Sequence, residues 1–591
     1  MVTVSDRLLP DTRLESRSLL ERIWNLPIEL SYCNPMRQGS HLAEMLAEAS
    51  ASPLATRRPV LSELMGHLEL FNSDDRERLM AAQLFDTAAD VCDCANMPGE
   101  YRQGVARRLA ILPHRAGSIS PAFGLATARD DPLVVLVIPD FLSAGTFLQP
   151  PLEALLAASR LRRLGFRCRV LDNRVAHLDA ADLAAQVDDA DLLAVLTTPY
   201  DHIQNYFVDY RLRHALATAD HLKRAVPSVP LVLGGAHGTV RPDIMLRDCS
   251  ADYVVRGEFD TVLPDLVQAL RDGAPLPPAA IRRGEPMKSV GVDGAIPAFR
   301  LVDLDQRFRT KVIDDDHLRP AYDLIDLDDY YGDVYEGTRP HRQARWVTLL
   351  ANRGCAHDCS FCFNFWGRRT RRRDPEDVAD ELAWVQNALQ ARGAFFLDFN
   401  FSENPGWIEA FCASAIRRGV TIPWSAQTRC DQVDEPLLHL MRSAGCHGLW
   451  FGVESFDEGI VESLGKYGDK EAAARALTAC ARAAIKPHLF VMIGVPGETR
   501  RSLNSTIRAM HRWKAAYCGV MPTTPRFGTR LYAMAKQQFP MLGNDFYSLR
   551  GARGLVGNDL TPIDLHQALE ILNNKNVMEM TEPPQLSRRR L

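Results

Sequence analysis

The chain has 591 residues, room for roughly three to four domains, and its 46% apolar and 24% charged residues are ordinary for a globular protein. A formal net charge of -5 argues against nucleic acid as the main partner, and no stretch reaches the run of about eighteen apolar residues that a membrane span needs. The 13 cysteines do not make a secreted disulfide scaffold and Met1–Arg7 carries no signal-peptide core, so a cytoplasmic location is expected.

Residues 1–128 read as a mostly helical N-terminal region. Apolar residues recur at three- and four-residue steps in Leu61–Leu70 and Asp75–Phe85. Cys92 and Cys94 read as structural. At Pro132 the texture changes. Leu133–Ile138, Arg167–Leu171, Leu192–Leu196, Leu231–Leu233 and Tyr253–Val255 are short β-branched or apolar runs, with helical patterns at Leu152–Leu164 and Tyr210–Ala225. Apolar strands alternating with helices predict an α/β, doubly wound, Rossmann-like domain over 129–285, its parallel sheet covered on both faces. Such sheets bind ligands at the carboxyl ends of their strands, where Thr198–Tyr200, Gly234–Gly238 and Arg256–Glu258 fall. Residues around 273–345 look irregular. Asp272–Pro278 is a Pro/Gly-rich linker, and 286–340 is expected to bridge two domains.

A second α/β series starts with the strand Arg345–Leu350. Asp374 and Pro375 form an N-cap and first helical position. Strands follow at Ala394–Asp398, Ile422–Gln427, Gly448–Val453, His488–Ile493 and near Gly519–Met521, with helices at Trp407–Arg418, Glu435–Ala444, Ala472–Ala484 and Arg501–Ala515. Six such units predict a partial (β/α)6 barrel over 341–540, followed by a C-terminal region, 541–591, whose basic end reads as solvated. Functional residues of barrels lie at strand carboxyl ends. The first strand ends on Cys355, Cys359 and Cys362, spaced C-x3-C-x2-C with Phe361 before the last cysteine. Three thiolates on one loop hold three corners of a cubane iron–sulfur cluster and leave the fourth iron open to a small molecule. A zinc site would lack its fourth ligand, and His357 sits on too short a tether to supply it.

This loop resembles that of radical S-adenosylmethionine (SAM) enzymes, and the resemblance runs over about 345–540. It implies a [4Fe-4S] cluster on the three cysteines and SAM on the open iron. Glu454 and Ser455, ending the fourth strand, would face the ribose and methionine parts of SAM. Gly494, in Gly494–Glu498, would offer backbone to the adenine. Asp398 would hold the methionine amine, although Phe399 stands where many relatives place a second acid. Arg429 is either a partner for a carboxylate of SAM or substrate, or a surface charge. Cys430 and Cys446 read as small core residues, and Arg526–Thr529 as structural.

The upstream domain resembles the cobalamin-binding module that precedes the barrel in one large radical SAM class, through Gly234–Pro242 and Ala251–Glu258. That likeness implies cobalamin contacts from Gly234, Gly235 and Gly257 by close backbone approach, from His237 and Glu258 to the nucleotide tail or corrin amides, and from Thr198, Tyr200 and the loop Asp140–Gln149. The D-x-H-x-x-G motif that ligates cobalt elsewhere is absent, since Asp315-Asp316-His317 continues differently, so no histidine of that motif is expected on cobalt. Together the resemblances imply a methyltransferase that methylates an unactivated carbon of a secondary metabolite, peptide or lipid, through methylcobalamin and a 5′-deoxyadenosyl radical. Cyclisation or ring rearrangement without methyl transfer is the alternative within the class, and a non-catalytic cobalamin-binding regulator is the alternative outside it. The expected partners are a small-molecule or peptide substrate and an external electron donor such as flavodoxin or ferredoxin. No general acid or base stands out.

Overall fold

The computed structural model describes residues 119–126, 130–139, 148–178, 180–198, 209–285, 319–336, 339–364, 366–466, 471–513, 517–527 and 529–538, with a few positions between 557 and 572. The expected N-terminal helices, Cys92, Cys94, Tyr200, His317 and all of the loop Asp140–Gln149 before Leu148 lie outside the described residues.

The first sheet joins β1 (Leu133–Ile138), β2 (Arg167–Asp172), β3 (Leu192–Leu196), β4 (Leu231–Gly234), β5 (Tyr253–Val255) and β6 (Ala280–Arg282) in the order β2-β1-β3-β4-β5-β6. The first five are parallel, and β6 closes the edge antiparallel to β5. Both faces of β1 are buried. Val134, Leu136 and Ile138 feed one apolar core, while Val135 and Val137 feed the other. This double burial is why the strand reads as an unbroken apolar run rather than an alternating one. The chain order reverses between β1 and β3, so the crevice of a doubly wound sheet lies at their carboxyl ends.

Low in this domain, Lys223 and Asp252 form an ion pair with both side chains at 0% exposure, Nζ to Oδ2 2.7 Å. Asp252 also accepts from the backbone N–H groups of Leu231 and Ala122, so its charge is fully engaged.

The stretch read as irregular contains regular structure. Residues β7 (Tyr331–Glu336) and β8 (Arg339–Ala344) pair as an antiparallel hairpin. Leu148 bridges to Tyr331, tying the hairpin to the first domain. Tyr330 donates its hydroxyl to Asp172 Oδ2 at 2.9 Å, and the same carboxylate binds Arg174.

The second sheet contains β9 (Trp346–Leu349), β12 (Gly393–Phe396), β13 (Trp424–Thr428), β14 (Cys446–Glu454), β15 (Lys486–Ile493) and β16 (Tyr517–Pro522) in the order β16-β15-β14-β13-β12-β9, parallel throughout. Its neighbours follow sequence order, the winding of an open barrel. Helices Pro375–Asn387 and Pro405–Arg417 cover one face through a cluster of Phe396, Phe401, Trp407, Phe411 and Trp424, with Trp407 stacked on Phe411 at 5.5 Å. Asp374 caps the first of these helices by accepting from Glu376 N–H at 2.8 Å, ahead of Pro375, as its sequence predicts. Two further strands, β10 (Asn352–Arg353) and β11 (Arg371–Arg372), form a short antiparallel ladder at the base of the cysteine loop. Among the described residues no helix is long and apolar enough to cross a membrane.

Removing one member of a buried ion pair leaves the other charge uncompensated and costs about 3–5 kcal/mol. Lys223→Met is therefore expected to lower unfolding free energy by about that amount in urea titrations. An unchanged midpoint would show that Asp252 does not need the ammonium.

Candidate active site

The cysteine loop leaves the barrel between β10 and β11. Gly354 precedes Cys355 at φ +92°, and a Cβ there would lie 2.3 Å from the Arg369 carbonyl oxygen, so this position requires glycine. Asn364 Nδ2 donates to the carbonyls of Cys355 and Gly367 at 3.0 and 2.6 Å. Ser360 N–H donates to Leu464 O and Leu531 N–H to Ser360 O, which pins the loop to the end of helix Glu458–Ser463 and the start of helix Arg530–Gln538. Cys355, Cys359 and Cys362 are free and partly exposed. Burial pushes the Cys362 thiol up to about 12, and the neighbouring Cys359 and Cys355 add to the rise. Burial also raises Cys355 and Cys359, with Arg368 opposing at both and Lys466 and Arg429 opposing at Cys359. Three thiolates in this pocket would repel one another, so the thiols hold their protons, and iron reverses the balance because a ligating thiol is deprotonated by the metal's charge. Among the described residues no three His, Cys, Asp or Glu side chains gather closely enough for a single metal ion. A cubane asks less, since each thiolate binds its own iron. The donor set fits the cluster. His357 faces Gln432, Nε2 to Nε2 3.2 Å, consistent with its exclusion as a ligand.

The strand ends around the loop carry the expected SAM residues. Glu454 ends β14 just past a register shift and adopts φ +65°, a left-handed conformation rare for a side-chain-bearing residue. Its Oε1 pairs with Lys466 Nζ at 2.9 Å, and Lys466 also donates to Gly452 O. Ser455 is engaged elsewhere: its hydroxyl meets Thr506 Oγ1 at 3.0 Å and accepts from Asp457 N–H at 3.1 Å, so it braces the strand end. Asp398 is fully buried and accepts from the N–H groups of Ala351 and Asn352 at 3.1 and 2.5 Å. It fixes the chain as it enters the cysteine loop, and burial lifts its pKa to about 7 against those N–H donors. Phe399, in place of a second acid, packs on Trp366 with centroids 4.5 Å apart. Arg429 is 8% exposed and bound to Asp431 at 2.6–2.9 Å, which rejects the surface-charge alternative. Gly494 has φ +69° and donates its N–H to Glu498 Oε2 at 2.6 Å. Glu498 is fully buried with Oε1 unpartnered, and burial raises its pKa to about 7.

In the first domain the expected cobalamin residues divide. A Cβ on Gly234 would lie 2.0 Å from the Phe259 ring, so this glycine serves the packing of helix Phe259–Asp272 rather than a ligand. Gly235, at φ +112°, brings its backbone against Thr198 and Thr197, and Thr198 Oγ1 accepts from Ala236 N–H at 2.7 Å. His237 is 1% exposed, with Nδ1 3.2 Å from Thr197 Oγ1, and burial depresses its pKa to about 3, which keeps the imidazole neutral. Gly257 is the open position: φ is +82° and nothing lies within 4 Å of a Cβ built there. Gln149, after β1, is 2% exposed with neither amide atom hydrogen-bonded. An unpaired buried amide between β1 and the helix Leu152–Arg163 and an open glycine after β5 fit a large polar ligand such as cobalamin across the strand ends.

Glu258, expected on the cobalamin tail, points the other way. Its Oε2 lies 2.5 Å from Arg353 Nη1 and its Oε1 binds Arg371, both on the barrel's β10–β11 ladder. Asp260 forks onto Arg353 at 3.0 and 2.8 Å. Burial alone would raise the Glu258 pKa, yet the two guanidiniums bring it down to about 2. The carboxyl ends of the two sheets thus face each other through this network. Sequence reasoning missed Arg353, Arg371, Asp260 and Lys466. Arg353 does stand one residue before the Gly354-Cys355 pair, a local hint of its place.

This is a B12-type doubly wound domain set mouth to mouth against a cluster-bearing barrel. The B12 binding domain family matches residues 143–267 and the Radical SAM superfamily matches 349–510. The chain is 27% identical over 412 residues to an uncharacterized methyltransferase of Pyrococcus horikoshii, covering 68% of this chain and 83% of that protein. It is 29% identical over 253 residues to the anaerobic magnesium-protoporphyrin IX monomethyl ester cyclase of Synechocystis, covering 42% of this chain and 46% of the cyclase. The radical SAM methyltransferase TsrM of Kitasatospora setae, solved with cobalamin and a [4Fe-4S] cluster, superposes with TM-score 0.53 at 20% identity over 69% of this chain and 78% of that one. The chain thus carries a B12 binding domain followed by a Radical SAM domain, which together imply a [4Fe-4S] cluster, SAM and cobalamin as its cofactors.

Glu498 gives a pH test. Its folded pKa lies above the ordinary carboxyl value of 4.5, so its contribution to stability is full below that value and is lost as pH rises through about 7. Glu498→Gln keeps an acceptor for Gly494 and removes the titration. Its thermal midpoint relative to the parent should rise between pH 5 and pH 8, by at most about 3 kcal/mol of stability. A pH-independent difference would show that the carboxyl does not titrate in this range.

Proposed function

We propose that this protein is a cobalamin-dependent radical SAM methyltransferase that methylates an unactivated carbon of a secondary-metabolite, peptide or lipid substrate. The observation that carries this reading is the face-to-face setting of the two strand-end surfaces, joined by Arg353, Arg371, Glu258 and Asp260. A cobalamin over Gly257 and Gln149 and a SAM over Glu454 and Gly494 would then lie on opposite walls of one space. When bound, the cluster, SAM and cobalamin supply the radical and methyl-transfer chemistry, and the protein supplies position and a dry cavity. Cys355, Cys359 and Cys362 would hold three irons. Glu454, paired with Lys466, would accept from ribose hydroxyls of SAM, and the bent backbone at Gly494 would meet the adenine. Asp398 would act on SAM indirectly, by fixing Ala351 and Asn352. Tyr200, Thr198 and His237 stay candidates for the cobalamin pocket. An external one-electron donor such as flavodoxin or ferredoxin would supply reducing equivalents.

A second reading, radical chemistry without methyl transfer, has the relative named as a cyclase in its favour. Product counting separates the two. Anaerobic holoenzyme incubated with SAM, a strong reductant and candidate substrates is expected to form S-adenosylhomocysteine and 5′-deoxyadenosine together with methylated product. 5′-Deoxyadenosine alone would favour the second reading. Cys359→Ala should lose cluster iron and 5′-deoxyadenosine formation, and retention of both would overturn the assignment of the loop.

A further inference from the structure

Arg353 and Arg371 are direct partners across the β10–β11 ladder. Directly opposed residues of an antiparallel pair share one face, and like charges in that position repel. Here the pair is also buried, with side chains 4% and 15% exposed. What separates the two guanidiniums is one carboxylate from the other domain. Glu258 spans them with one oxygen on each, and Asp260 adds a two-point contact to Arg353. Arg160, on helix Leu152–Arg163, lies 4.0 Å from Asp260 Oδ2, the oxygen that also meets Arg353 Nη2. The ladder is the neck of the cluster loop: Cys355 lies two residues beyond Arg353. Glu258 follows Gly257, the open position of the cobalamin crevice, and stands at the N-cap of helix Phe259–Asp272, with Asp260 in its first turn.

We infer that Glu258 and Asp260 are positioning residues of the cobalamin domain that hold the cluster loop closed at its neck, so that the geometry of the cluster and its SAM depends on carboxylates from the neighbouring domain. This rests on the reading of Cys355, Cys359 and Cys362 as cluster ligands. It assigns Glu258 to the barrel rather than to the cobalamin tail. It also makes a prediction that a general packing role does not. The defect of losing Glu258 is a repulsion between two arginines, so removing the second arginine should cure it.

The test uses reconstituted holoenzyme in four forms: parent, Glu258→Gln, Glu258→Gln with Arg371→Gln, and Lys223→Met. Lys223 pairs with Asp252 at the start of β5, the end of that strand away from Glu258, and serves as the control for lost stability alone. Readouts are the electron paramagnetic resonance signal of the reduced cluster with and without SAM, and the KM for SAM in its reductive cleavage. E258Q is expected to raise KM about tenfold, with a smaller change in kcat, and to alter the SAM-induced change in the cluster signal. Adding Arg371→Gln should bring KM back to within about threefold of the parent and restore the signal. K223M should lower the thermal midpoint and leave KM and signal in place. If E258Q does not accumulate, Asp260→Asn, which leaves Glu258 between the arginines, should raise KM about threefold with the same spectral change. Parent-like KM and signal in E258Q or in Asp260→Asn, or a double variant no better than E258Q, would overturn the inference. A parent enzyme that binds no iron or cleaves no SAM would instead overturn the reading on which it rests.

Discussion

Two guanidiniums at the mouth of one sheet are neutralised by two carboxylates at the mouth of another. Arg353 and Arg371 cannot lie side by side in a buried ladder without Glu258 and Asp260, and burial of those carboxylates is tolerable only because the arginines meet them. Breaking such a pair from one side costs about 3–5 kcal/mol, far more than an exposed pair contributes. The network therefore specifies orientation as well as association. It sets strand carboxyl ends against strand carboxyl ends, the one arrangement in which ligands of both sheets share a space.

The rest of the site shows the same use of buried polar groups. Asp398 and Glu498 are fully buried, and each receives two backbone N–H groups from a strand end or turn. Ser455 receives the backbone after β14 and meets Thr506. Each group holds backbone that would otherwise be a mobile loop, and none needs a ligand to do so. The residues proposed to touch cofactors are thereby placed on supports already fixed, which is how precise sites are built.

The sequence made much of this visible. Strands with both faces buried must be apolar at every position, so Leu133–Ile138 and Leu192–Leu196 could be bounded to the residue. The Asp374–Pro375 helix start, the six-strand barrel and the cysteine loop were equally legible, because capping, periodicity and ligand spacing are local patterns. The hairpin Tyr331–Ala344 escaped notice because its residues, such as the run Arg339–Gln343, are polar and carry no alternation. The edge strand Ala280–Arg282 is three residues long and follows a proline pair. Glycines were ambiguous in kind: Gly234 looked like Gly257, but one makes room for the Phe259 ring and the other opens on space. The ion-pair network was beyond reach for a simpler reason. Glu258 and Arg353 are 95 residues apart, and a pairing between domains leaves no periodic trace in either.

Facing strand ends require cobalamin and the cluster to share one cavity. Pulsed electron paramagnetic resonance on anaerobic protein carrying both cob(II)alamin and the reduced [4Fe-4S] cluster measures this directly. The facing sheets predict a dipolar interaction that shortens cob(II)alamin relaxation and disappears when Cys359→Ala removes the cluster. Two spectra that superimpose without interaction, with cobalt relaxing equally in the presence and absence of the cluster, would contradict it.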